Sequence, residues 1–150
     1  MKRNVEECKS VLADLEKASG ADRELDARID AVLRAGKASM RDSSPWAWLN
    51  FPTWRHHDQA AGMCGVVHDD GSFGMVWDSE PFTSSLDATI ALVERVLPGH
   101  QINLHWYIVH AEASIGSASH PLAQAVAPTP PLALLTALFR ALIAQMEKAE

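Results

Sequence analysis

The sequence predicts an α+β protein, a three-layer α-β-α sandwich in which a small, mainly antiparallel sheet is covered by helices. Three observations predict it. FTSSLDATIALVERVL, Phe82 to Leu97, carries a capping serine, an apolar stripe and a Pro98-Gly99 stop, so it reads as an amphipathic helix over about 85–97. TPPLALLTALFRALIAQMEK near the carboxyl end opens on a capping threonine with proline at the first helical position, and predicts a largely enclosed helix over 130–147. QINLHWYIVHAE between them alternates side chains that are apolar on both faces, the pattern of a strand covered above and below.

Composition narrows the class before any motif is weighed. A chain of 150 residues, 47% hydrophobic and 21% charged, has the make-up of one globular domain rather than a disordered or membrane protein. The run LALLTALF is far shorter than the roughly 18–20 residues needed to span a bilayer. The charged start MKRNVEECKS lacks the apolar stretch of a secretory signal, so a cytoplasmic location and two unpaired thiols, Cys8 and Cys64, are expected. A formal net charge of −6 without a Lys/Arg cluster disfavours nucleic acid as a partner.

In chain order, residues 1–20 predict a helical extension, and residues 21–150 a single sandwich domain. Val5, Cys8, Leu12 and Leu15 make a narrow stripe on a helix from Asn4 to Ala18, suited to an added layer or a seam with a second copy. After Ser19-Gly20, Asp22 is placed to cap a second helix whose inner face is Leu25, Ile29, Val32 and Leu33. Arg23, Glu24, Asp26, Arg28 and Asp30 are expected to stay solvated. The segment 37–62 has no periodicity, yet holds Trp46, Trp48, Phe51 and Trp54 among Pro45 and Pro52. A long aromatic loop of this kind either plugs the core or offers a binding surface.

MCGVVH and SFGMVW flank Asp70-Gly71 and predict a hairpin over 63–77. The third strand is expected over 102–112, with Ile102, Leu104, Trp106 and Ile108 on one face and Asn103, His105, Tyr107, Val109 and Ala111 on the other. The small residues from Ser114 to Pro128 predict a loop, or a short edge strand at most. Ser84, accepting from the amide of Asp87, is the expected cap of the helix that follows Pro81. Leu86, Ile90, Val93 and Leu97 are its expected buried stripe.

Two helix-opening patterns, Phe82-Thr83-Ser84-Ser85-Leu86-Asp87-Ala88 and Ala127-Pro128-Thr129-Pro130-Pro131-Leu132-Ala133-Leu134-Leu135, follow a short LDARI helix and a Trp/Pro loop. In that order, with Arg140-Ala141 further along, they resemble the small phage and prophage proteins of the phage ABA sandwich domain family, from about Leu25 onward. The resemblance implies a three-layer α-β-α fold and a mobile-element origin, assigns no biochemical role, and brings no catalytic residues with it.

Chemistry-bearing residues are scattered. Seven histidines invite a metal site, but His56-His57-Asp58, His68-Asp69-Asp70 and the pair His110 and Glu112 match no established ligand spacing, so neither a metal nor a cofactor is expected. Cys64 and His68 would stand roughly 13 Å apart along a regular strand, too far for a nucleophile and its base. The expected function is therefore protein contact, with another protein or a second copy, through Trp46, Trp48, Trp54, His56 and His57. The competing expectation is an enzyme acting on a small molecule or using a metal. Its pocket would lie under the Trp46 to His57 loop and be floored by His110 and Glu112.

Overall fold

The computed structural model describes residues 5–35, 47–49, 63–67, 73–117 and 119–149. The chain runs α1 (Val5–Lys17), α2 (Arg23–Ala35), β1 (Ala47–Leu49), β2 (Met63–Val67), β3 (Phe73–Asp78), α3 (Leu86–Val96), β4 (Ile102–Trp106), β5 (Ala111–Gly116), β6 (Pro121–Ala127) and α4 (Pro130–Lys148). Helices and antiparallel strands coexist, so the α+β class is as expected. The strands form two three-stranded sheets, β1-β2-β3 and β4-β5-β6, so the 63–77 hairpin and the 102–112 segment belong to separate sheets. The chain divides into two compact units. One holds Arg23–Pro81, the other Val5–Asp22 with Phe82–Glu150.

In the first unit β2 and β3 make the expected hairpin, with Cys64 opposite Trp77 and a register shift between Gly65 and Val67. Strand β1 adds to its edge, Trp48 opposite Val66. Helix α2 packs against β1 and β2 through a face that includes Leu25, Ile29, Val32 and Leu33. Two of its acids depart from expectation, since Asp26 is 0% exposed and Asp30 3%. The reason is local. Arg23 donates to Asp26 at 2.8 Å and to the Ser79 carbonyl at 2.6 Å, and the Ser79 hydroxyl donates to Asp30 at 3.3 Å, so charge and hydrogen bonds replace lost water.

The second unit is layered on α4. Thr129 is its cap, with the hydroxyl accepting from the Leu132 amide at 3.4 Å and prolines following at the first helical positions. Every residue from Pro130 to Ile143 is buried except Arg140. One side of α4 packs on β4, β5 and β6; α1 and α3 also pack on α4. The buried stripe of α1, Cys8, Val11 and Leu15, lies in this unit's core, and Lys9–Glu147 (2.9 Å) and Glu16–Arg140 (3.6 Å) flank the seam.

Three sequence expectations change here. The 102–112 strand is two strands, β4 and β5, folded back on each other so that Trp106 stands opposite Ala111. Ala111 therefore shares the face of Ile102, Leu104 and Trp106 rather than the other one. The stretch after Ser114 holds the end of β5 and then β6, a seven-residue edge strand where a loop, or a short edge strand at most, was expected. Its small residues have a packing role, because Ala125 and Ala127 line up with Ala111 and Ala113 as a buried floor under α4. Finally, α3 is capped one residue later, Ser85 accepting from the Ala88 amide at 3.2 Å, and its buried face turns to Thr89, Leu92 and Val93, with Leu86 and Ile90 half-buried. Burying Thr89 is tolerable because its hydroxyl bonds the carbonyls of Phe82 (2.8 Å) and Ser85 (3.0 Å).

Gly116 closes β5 at φ +109°, and a Cβ there would stand 2.6 Å from the Leu122 amide nitrogen. Only glycine fits that corner. The α4 core gives a direct stability prediction. Leu138→Ala, at a fully buried site, is expected to cost about 2–5 kcal/mol in urea unfolding, in the range for buried leucines.

Candidate functional site

The ladder of the second sheet sorts its side chains onto two faces. Ile102, Leu104, Ala111, Ala113, Ile115, Ala125 and Ala127 face α4; Asn103, His105, Glu112, Ser114, Gln124 and Val126 face away. The outer set lines an open concavity of about 540 Å³, to which Arg140 of α4 also contributes. Arg140 reaches the β6 edge, where it donates to the Gln124 carbonyl at 2.7 Å.

Within this concavity His105 stands directly opposite Glu112 across the ladder, and Asn103 opposite Ser114, which is opposite Gln124. One carboxylate, one imidazole, two amides, a hydroxyl and a guanidinium are therefore gathered on one wall. Asn103 is held by donating to the Gly116 carbonyl at 3.3 Å while accepting from Gln101 at 3.2 Å.

The β4–β5 connection is the second feature. Tyr107 donates its amide to the His110 carbonyl at 2.9 Å, which leaves Ile108 and Val109 as the two residues of a tight hairpin tip. Such tips usually carry Asn-Gly or Asp-Gly. Here both residues are β-branched, and among the described residues no side-chain-bearing one takes a positive φ. Ile108 is fully exposed, Val109 80% and Trp106 74% exposed, and Tyr107 is half-exposed with its ring stacked on His110 at 4.7 Å.

The structure does bring His110 and Glu112 together, with Nε2 and Oε1 3.6 Å apart. They flank Ala111 two positions apart, on the side of the ladder that also carries His105. Among the described residues no three His, Cys, Asp or Glu side chains gather as a metal-binding group. Of the loop residues expected to bind, Trp46, Trp54, His56 and His57 lie outside the described residues, and Trp48 is placed by its backbone in β1. Sequence reasoning missed Asn103, Ser114, Gln124 and Arg140 as wall residues. For Ser114 and Gln124 the signal was alternation within β5 and β6, which the misplaced strand hid, whereas Asn103 lies on β4 and Arg140 on α4.

No family model, curated protein or solved structure matches the chain. Among the described residues no helix is long and apolar enough to cross a membrane. The half-exposed Glu112–His110 pair is a surface contact, so Glu112→Gln is expected to shift stability by less than about 1 kcal/mol in chemical denaturation.

Proposed function

We propose that the chain is a small cytoplasmic accessory protein of phage or prophage kind that acts through protein–protein contacts, with the β4–β5 hairpin tip as its anchor. The observation that carries the contact reading is the pair Ile108 and Val109 at the centre of a two-residue turn. Neither residue favours that turn, and leaving them in water forgoes the stabilisation that burial gives apolar side chains. Burial against a partner supplies what the isolated hairpin lacks. Tyr107 beside them, half-exposed, is of a residue type that dominates contact energetics.

The phage assignment rests on the helix-opening patterns at Phe82–Ala88 and Ala127–Leu135. The partner is expected to present an apolar pocket that accepts the tip. Replacing Ile108 and Val109 together by aspartate is expected to leave the circular dichroism spectrum unchanged and to lower capture of the host partner at least about tenfold, the loss of roughly 1.4 kcal/mol or more. Undiminished capture by the folded double variant would refute the tip as the anchor.

A further inference from the structure

The second sheet has two edges, and they are treated differently by the sequence. Along β6, Pro121 opens the strand, and the Arg140 guanidinium occupies the carbonyl of Gln124. Along β4 there is no proline and no charged side chain, the usual guards of an exposed edge.

The ladder shows which groups of β4 face outward. Gln101 accepts from the Gly116 amide at 2.8 Å and Tyr107 donates to the His110 carbonyl at 2.9 Å, so odd-numbered residues bond inward to β5. By alternation, Ile102, Leu104 and Trp106 direct their amides and carbonyls away from the sheet. Among the described residues no partner meets these groups.

This outward set is symmetric about Leu104. We propose that β4 pairs antiparallel with β4 of a second copy of this chain, about a two-fold axis at Leu104, to make one continuous six-stranded sheet. In this register Leu104 meets its own counterpart and Ile102 meets Trp106 of the other copy. Every outward amide and carbonyl of the three residues then finds a partner. A shift by two residues either way leaves an end of the set unpaired.

The side chains agree with the backbone. Trp106, 74% exposed in the single chain, would be placed against Ile102 of the other copy, an aromatic and β-branched pair of the kind that favours adjacent strands. Asn103 would stand opposite His105, hydrogen-bonding groups on the open face, with no like charges opposed. The pairing goes beyond the hairpin-tip reading, because Ile108 and Val109 lie outside the paired residues and remain free for a different partner.

Light scattering tests the assembly, and cysteine pairing tests the register. The protein is expected at twice its 16.4 kDa chain mass at micromolar concentration. Trp106→Lys is expected to keep the circular dichroism spectrum and weaken the dimer at least tenfold. In a Cys64→Ser background, chains with Asn103→Cys mixed with chains with His105→Cys should form a covalent dimer under mild oxidation. Such non-hydrogen-bonded pairs bring Cα atoms to about 4.5 Å, within disulfide reach. Either variant alone should crosslink much less, and buried Cys8 does not compete. A monomer at about 100 µM, a dimer indifferent to Trp106→Lys in its folded state, or no preference for the mixed crosslink would each overturn the proposal. The Ile108/Val109 double aspartate variant should remain dimeric, which separates this pairing from partner capture through the tip.

Discussion

The second unit depends on one constraint, the burial of α4 against a floor of alanines. A helix whose residues from Pro130 to Ile143 are all buried but one has no solvent face of its own, so its stability is tertiary from the start. Leu132, Leu134, Leu135, Leu138, Phe139 and Leu142 are fully enclosed. At about 1.5–3 kcal/mol for each buried side chain they are the principal apolar contribution to this unit, taken as an upper bound. Ala111, Ala113, Ala125 and Ala127 are small because larger side chains would hold the helix off the strands.

What faces away from α4 follows from the same alternation. Fixing Ala111 and Ala113 inward commits Glu112 and Ser114 outward, and the ladder adds His105, Asn103 and Gln124 beside them. The polar wall is thus a consequence of the core register. The hairpin tip is not: nothing in the packing of α4 requires Ile108 and Val109 to be apolar. That difference is why the proposed contacts are attached to the tip and the β4 edge rather than to the wall.

The helices were legible in the sequence because caps and stripes are local. Thr129, Pro130 and the leucines of α4 sufficed, and α3 was misplaced by only one residue and part of a turn because Ser84 and Ser85 both offer a capping hydroxyl. The strands were less legible. QINLHWYIVHAE contains no glycine, asparagine or proline at its turn, so its two strands read as one, and β6 looked like a loop because alanine has low strand propensity. The buried Asp26 and Asp30 were hidden for another reason. Ser79, the partner of Asp30, lies 49 residues away, and its carbonyl also accepts from the Arg23 that pairs with Asp26, a link that no local pattern encodes. The polar wall was lost with the strand boundary, and of its residues only Glu112 was named in advance as a candidate.

Native-state hydrogen exchange tests the central claim most directly. If α4 is the element on which this unit is assembled, amides of residues 133–142 exchange only through global opening, with a common opening free energy set by the stability of the whole unit, and more slowly than any amide of β4. Exchange of those helix amides by local fraying, faster than the amides of β5, would contradict it.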